Sequence, residues 1–445
     1  MALSAARLAA FHILLRIERD GVFAVDLLHS ESISQFSQSD QRLATELVYG
    51  VLRQQRLLDW YLARFVNQPI GHLDVEVMMT LRLGAYQILF LSRVPLRASV
   101  HQSVELVKEA RKRSAAGLVN AVLRRINKED FALAREGLTE KSSQSLSVLY
   151  SHPEWVVRRW VDRWGLATTL EILKNNNQSP KVHFRSNSPS LSSVKMLEIL
   201  KQEGISVRLH ALGEDIWEVV DGSLHHSRLF QSGEIVVQDA GSQVIPHLLD
   251  IKPTDFCLDF CSGAGGKASR MAQLGKGRVR VIGVDSNWHR LQIAKRRHET
   301  RWRRLSWVVA NGIHPLPFCT QFDKVLVDVI CSGSGTLRRN PEIRWRLVPE
   351  DLSRLASLQS RLLTNAASLV RKGGILVYAT CSLEPEENEQ VVYRFLSAYP
   401  RFVLETSHYS TLRLQYVQDQ FFRLLPPQSD GDGFFAASFR KHKSS

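Results

Sequence analysis

Two short segments place a cysteine where a thiol could do chemistry: Asp328-Val-Ile-Cys331-Ser-Gly-Ser-Gly335 and Tyr378-Ala-Thr-Cys381-Ser382. A thiolate attacks electron-poor carbon well once its pKa is lowered. Each segment follows an apolar run, Lys324-Val-Leu-Val-Asp328 and Gly374-Ile-Leu-Val-Tyr378, that reads as a buried strand. In an open α/β sheet, ligands and chemistry gather beyond the carboxyl ends of the strands. Cys331 and Cys381 are therefore expected to reach one pocket although fifty residues separate them. Either cysteine alone would read better as an inert buried thiol; the paired strand ends favour a catalytic pair.

A second constellation lies upstream. Phe256-Cys-Leu-Asp-Phe260 reads as a strand and runs into Cys261-Ser262-Gly263-Ala264-Gly265-Gly266-Lys267. Glycines here let a ligand approach the backbone and let a helix begin at once. A phosphate loop is excluded, because it needs glycine where Cys261 stands and Ser or Thr where Ala268 stands. A dinucleotide G-x-G-x-x-G is excluded too, since no third glycine falls in place. The next strand ends in Asp285, where a carboxylate suits a ribose diol, and the one after ends at Ala310-Asn311-Gly312, where an amide can meet an adenine edge. Glycine loop, ribose carboxylate and base contact in this order fit S-adenosylmethionine.

The elements that must position these groups fall into a sequence of units. Residues 1–130 read as all helix, with strand signals nearly absent, which implies a helical bundle. Its end is basic, with Lys108, Arg111, Lys112, Arg113, Arg124 and Arg125, and reads as an RNA-contacting face. Residues 131–150 are polar and Ser-rich and read as a linker. Residues 151–232 read as a small α+β unit with strands at Lys181–Arg185, Ile205–Leu209 and Ile216–Val220. Residues 233–445 alternate strand and helix, the pattern of a doubly wound α/β domain.

Composition narrows the partners. The net charge of +14 and a pI near 9.7 point to a polyanion, with nucleic acid as the first candidate. Five cysteines, an odd number without a C-x-x-C pair, fit a reduced, cytoplasmic setting and no structural zinc. The adjacent His225 and His226 read as loop residues, not metal ligands. No apolar run reaches the roughly 18 residues a membrane span needs. A monomer is the default expectation.

These residues resemble the RsmB (Sun/Fmu) type of ribosomal RNA cytosine-5 methyltransferase along essentially the whole chain. The resemblance rests on Gln238-Asp-Ala-Gly-Ser242, Leu258–Lys267, Asp328–Gly335, Arg338-Arg-Asn-Pro-Glu-Ile-Arg-Trp345, Tyr378–Pro385 with Glu386-Glu-Asn388, and Asp432-Gly-Phe-Phe435. It implies a class I (Rossmann-like) α/β methyltransferase domain preceded by an all-α NusB-like bundle and a small α+β RNA-recognition-like unit. It implies methylation of carbon 5 of a cytosine in small-subunit (16S) ribosomal RNA, with S-adenosylmethionine as donor and a covalent cysteine–cytosine adduct. By the same resemblance Cys381 is the nucleophile, Cys331 assists release of the RNA, and Asp328 contacts the base beside the cofactor. The loop Cys261–Lys267 and Asp285 hold the cofactor. Arg338, Arg339 and Arg344, just past the first cysteine segment, are expected to clamp flanking phosphates.

Three positions depart from the family pattern. Ala264 stands in the glycine loop where proline is usual, Ile330 stands before Cys331 where proline is usual, and Asn311 stands where aspartate is usual. Loss of the second proline frees φ and restores an N–H, so a less rigid loop is expected there. Asn311 keeps an acceptor oxygen and adds donors. A catalytically impaired RNA-binding protein, and an enzyme acting on another RNA such as tRNA, are the alternative readings.

Overall fold

The computed structural model describes residues 3–298, 300–406 and 416–442. The chain divides into two units, one comprising Met1–Gln178 with Leu337–Arg346 and the other Ser179–Thr336 with Leu347–Ser445.

Apolar residues at three- and four-residue spacing build the first unit's core from the helices Ala5–Asp20, Gln38–Leu62, Val75–Phe90, Leu96–Glu109 and Ala116–Arg124. Phe11, Leu47, Val51, Leu81, Leu106 and Leu123 are fully or almost fully buried there. Gly50 lets two of these helices approach closely: a Cβ at that position would lie 2.0 Å from the Tyr86 ring. The Tyr86 hydroxyl in turn donates to Glu46 (2.6 Å).

Residues 131–150 are not a linker. Helices span Lys128–Glu136 and Ser143–Leu149, begun by the caps Asn127 and Ser142, whose side chains accept from the N–H groups of Glu129 and Ser145. Phe131 anchors the first of them edge-on against Tyr61 and Phe90, with ring centroids 5.0 and 5.8 Å apart. The helix Glu154–Asn176, kinked at Gly165 (φ +75°), packs as part of this unit.

The inserted segment Leu337–Arg346 overturns the phosphate-clamp reading of Arg344. Its side chain is buried, and its guanidinium donates to the carbonyls of Ser151 (2.9 Å) and Asn176 (3.2 Å) and to Asn177 Oδ1 (2.9 Å). It thus caps the carboxyl end of the helix Glu154–Asn176, where a cation meets orphan carbonyls and the negative end of the dipole. Beside it Glu342 accepts from the Ala24 N–H (2.8 Å), and the Trp345 indole donates to the Leu52 carbonyl (2.8 Å).

The second unit contains two sheets. The smaller is formed by β1 (His183–Ser186), β2 (Ser206–Leu209), β3 (Trp217–Asp221) and β4 (Ile235–Val237) in the order β2-β3-β1-β4, all antiparallel. The helix Ser193–Gln202 packs Met196 and Leu200 on it with Phe184 and Trp217. β4 pairs with β1, so the strand read as opening the α/β domain lies in the small sheet instead.

The larger sheet has β5 (Phe256–Asp259), β6 (Arg280–Asp285), β7 (Leu305–Val309), β8 (Phe322–Asp328), β9 (Val370–Thr380), β10 (Phe402–Leu404), β11 (Val417–Gln418), β12 (Phe421–Leu424) and β13 (Phe434–Lys441). Its order is β11-β12-β13-β9-β8-β5-β6-β7, with β10 also on β13. β5 to β9 are parallel, and β13 runs antiparallel to β9. The central strands are apolar on both faces: Leu326 and Val377 enter one core cluster, and Val325, Val327, Leu376 and Tyr378 the opposite one. The connection order reverses between β5 and β8, the crevice where such sheets bind ligands. No helix among the described residues is long and apolar enough to cross a membrane.

Candidate active site

β5 delivers its chain directly into the glycine loop. Gly263 and Gly265 have φ of +53° and +81°, and the helix Gly266–Leu274 starts at once. A Cβ on Gly265 would lie 2.5 Å from the Trp307 ring, so no other residue fits the left-handed conformation there. Asp285, at the end of β6, accepts from the Gly263 N–H through Oδ2 (2.9 Å) and from the Asn287 N–H through Oδ1 (2.8 Å). Its carboxylate is thereby fixed against the loop. Asn311 is exposed, and its Oδ1 accepts from the Ile313 N–H (3.1 Å), closing a turn after β7.

Across the crevice Lys267 donates to Asp328 Oδ2 at 2.5 Å. Burial opposes the lysine's charge, but Asp328 outweighs it and raises the ammonium pKa. This ion pair joins the loop after β5 to the end of β8.

One participant escaped the sequence reading. Asp259, the last residue of β5, is fully buried, and neither carboxylate oxygen makes a well-formed hydrogen bond, the backbone N–H of Ala268 being its one weak contact among the described residues. Burial, then Asp328, pushes its pKa up to about 7, against the pull of Lys267. The available signal was an acidic residue closing the strand immediately before a glycine loop. Cys261 is no rival nucleophile: burial and then the carboxylates of Asp259, Asp328 and Asp285 drive its thiol pKa upward.

The two cysteine segments converge as expected. Cys331 Sγ and Cys381 Sγ lie 3.2 Å apart, beyond the ends of the neighbouring parallel strands β8 and β9. The Val329 N–H continues the ladder to the Ala379 carbonyl (3.0 Å), and the Gly335 N–H bonds the Cys381 carbonyl (2.9 Å). Gly335 is required by this approach, since a Cβ would come 2.7 Å from that carbonyl oxygen and 2.6 Å from that of Gly433.

A buried carboxylate locks the arrangement. Glu387 Oε1 accepts from the Ser332 N–H and from Gln359 Nε2, both at 2.8 Å, and Oε2 accepts from Ser382 Oγ at 2.5 Å. It therefore grips the residue after each cysteine. Gln359 also donates to the Ile330 carbonyl (3.0 Å). The Ile330 segment is thus held from both sides despite its missing proline, and the Ile330 side chain itself is 58% exposed. The Cys331 thiol pKa is raised well above its ordinary value by the hydrogen bond with Cys381, by burial and by the charge of Glu387.

Arg338 and Arg344 are buried, Arg339 is partly so, and all three belong with the helical unit.

Comparison with known proteins agrees with this architecture. The model of the 16S rRNA methyltransferase RsmB/F family matches residues 246–440, that of the NusB family residues 4–128, and that of the RsmF/B-like ferredoxin-like domain residues 152–217. The probable ribosomal RNA small subunit methyltransferase B of Bacillus subtilis is 33% identical, over 97% of this chain and 98% of its own. The chain belongs to the RsmB/F family of 16S rRNA methyltransferases. The protein of the same name from Synechocystis is 31% identical, over 98% of this chain and 99% of its own. A methyltransferase homologue from Pyrococcus horikoshii superposes with a TM-score of 0.58 at 26% identity, covering 67% of this chain and 98% of its own. Family membership makes the protein an RNA methyltransferase and identifies the all-helical, ferredoxin-like and Rossmann-like parts that the fold displays.

Proposed function

We propose that the protein methylates carbon 5 of a cytosine in small-subunit ribosomal RNA, through a transient bond between Cys381 Sγ and carbon 6 of the ring. The observation that carries this reading is the 3.2 Å approach of Cys331 and Cys381 at two adjacent strand ends. Carbon 5 of cytosine is a poor nucleophile. Addition of the Cys381 thiolate to carbon 6 breaks the double bond between carbons 5 and 6 and leaves an enamine across carbons 4 and 5, whose carbon 5 can accept a methyl group, which splits one hard step into easier ones.

The glycine loop supports a reading with S-adenosylmethionine as the donor. Its glycines bring bare backbone to the crevice, and the under-paired, buried carboxylate of Asp259 suits a cation. Cys261, Ser262, Gly263, Ala264, Gly265, Gly266 and Lys267 would line the donor, Asp285 would take the ribose diol, Asn311 the base, and Asp328 the side nearest the cytosine. When bound, the donor supplies an electrophilic methyl group.

Asp328 would hold the exocyclic amine and ring nitrogen of the cytosine, stabilising charge as the adduct forms. Cys331, held as a thiol, donates its hydrogen bond to the Cys381 sulfur before attack. After methyl transfer the proton on carbon 5 must leave, to a water beside Cys331 or to Cys331 itself once its own thiol proton has passed to solvent, and the electron pair it releases expels Cys381 from carbon 6. The target base must be unstacked for both faces to be reached.

The test is methyl transfer from labelled S-adenosylmethionine to unmodified small-subunit RNA. Cys381→Ala abolishes it. Cys331→Ala accumulates a covalent protein–RNA adduct, read as a slow band on a denaturing gel. Full activity of the first variant, or free turnover of the second, rejects the assignment. Mapping 5-methylcytosine in RNA from cells with and without the protein names the substrate, and a lost site in tRNA alone would overturn the ribosomal reading.

A further inference from the structure

Away from the sulfur pair, the second unit carries a cleft of about 610 Å³ between the edge of the small sheet and the helix Trp288–His298 with the turn that follows it. We propose that this cleft binds single-stranded RNA, taking phosphates on Arg296, Arg297 and Arg301 and bases along the open edge of β4. The proposal rests on the reading of RNA as substrate and adds where a strand flanking the target nucleotide is held.

Three observations converge there. The first is charge. Among the described residues, none that lines the cleft is a carboxylate, and the lining includes three arginines and His225. Seven of the seventeen residues from 288 to 304 are Arg or Lys, against one acidic residue. A helix dipole accounts for a cation or two in a last turn, not for a run that continues past the helix end. Such a run attracts a polyanion.

The second is an unpaired strand. β4 pairs with β1 on one side only, and its other side faces the cleft through Ile235, Val236 and Val237. Val237 is 46% exposed. Edge strands of this kind are normally blunted by charge or covered. Left open, β4 offers N–H and C=O groups that can meet base edges. His225 and Phe230, with ring centroids 6.2 Å apart, line the same cleft and offer faces for stacking.

The third is that the walls are tied together and lead to the chemistry. Arg301 donates to the Ser232 carbonyl, and the Trp302 indole donates to Asn187 Oδ1 (3.0 Å), so strand and helix are held at fixed separation. Val237 is followed by Gln238, whose Oε1 accepts from Arg185 (2.8 Å), and Arg185 reaches the Gly266 carbonyl of the glycine loop (3.0 Å). A strand lying along β4 is therefore directed toward the crevice at the end of β5. A peptide could also extend the β4 edge, but backbone pairing has no use for the arginines.

The test measures binding of a fluorescent single-stranded RNA to the full-length protein, without methyl donor, over a salt series. The double variant Arg296→Ala/Arg297→Ala, whose side chains are exposed, is expected to keep its melting temperature and to bind at least about tenfold more weakly. The slope of log affinity against log salt is expected to shrink by about 1.4, or about 0.7 per lost phosphate contact. Replacing Arg16 and Arg394, exposed arginines elsewhere, is expected to leave the slope as it was. An unchanged slope in the cleft variant, an equal loss in the control, or displacement of nothing but peptide overturns the proposal. Because no methyl transfer is read, failure of the cytosine chemistry leaves this result standing, and failure here leaves the Cys381 experiments standing.

Discussion

Asp259, at the end of β5, and Glu387, in the turn between β9 and the helix Glu389–Ala398, are both sealed from solvent, yet their surroundings are opposite. Glu387 is saturated: two side chains and a backbone N–H converge on its oxygens. Asp259 draws only on the Ala268 N–H and the more distant charge of Lys267, and its pKa still rises to about 7. An under-paired buried carboxylate is expensive and is retained only where something offsets the expense. The difference separates two tasks. The end of β9 holds a finished geometry that must not move. The end of β5 is left under-paired, as the proposed binding of a cationic donor there requires.

The comparison breaks most severely at Glu387. Glu387→Ala strands the Ser332 N–H and the Ser382 hydroxyl. We expect a loss of about 3 kcal/mol in urea unfolding and a fall of about 100-fold in methyl transfer as the sulfurs lose register. A variant with wild-type rate would show that the grip is dispensable.

Asp259→Asn tests the other half. It should weaken S-adenosylmethionine binding about tenfold by calorimetry without unfolding the protein. Its pH dependence follows from the raised pKa. In the unfolded chain the group ionises near 4, and in the fold near 7. The folded state alone keeps the proton between those values, so the ligand-free protein loses stability as pH rises from about 4 to about 7 and carries the full cost above it. The Asn variant should lose this slope. Donor affinity of the wild type should fall as pH drops below 7, because the cation then meets a neutral acid; a flat wild-type profile would remove Asp259 from the site.

Smaller effects sharpen the picture around the cysteines. Gly335→Ala forces a Cβ to within 2.7 Å of the Cys381 carbonyl oxygen. We expect about 2 kcal/mol of destabilisation and a slower nucleophile, read as a reduced rate of Cys381 alkylation. Ser334→Ala removes the acceptor of the Leu383 N–H (2.8 Å) and should cost about 1 kcal/mol, with a small change in rate.

What could be read in advance follows the same division. Lys324–Asp328 and Gly374–Tyr378 announced themselves as strands because parallel strands buried on both faces are apolar throughout. Their cysteines could then be paired by topology alone. Gly263 and Gly265 were equally legible, since their backbone demands glycine. Asp259 was not, because a lone aspartate at a strand end says nothing of whether it will find a partner. Arg344 misled for a related reason: an arginine in a polar run reads as surface charge, and only tertiary packing makes it a helix cap. The helices at Lys128–Glu136 and Ser143–Leu149 hid in a Ser-rich stretch where Ser142 acts as a cap, with Phe131, Leu146 and Val148 as the few buried apolar anchors. β4 was assigned to the wrong sheet because strand periodicity carries no information about the neighbour.

The detour of Leu337–Arg346 into the helical unit makes that unit non-contiguous in sequence. A fragment ending at Gln178 would be synthesised without the plug that occupies its Arg344 and Trp345 berths, and should be poorly behaved unless the decapeptide is supplied in trans. During translation, the first 178 residues must wait for roughly as many again before they can close. Only six positions of sequence separate Cys331 from Leu337, where that segment begins.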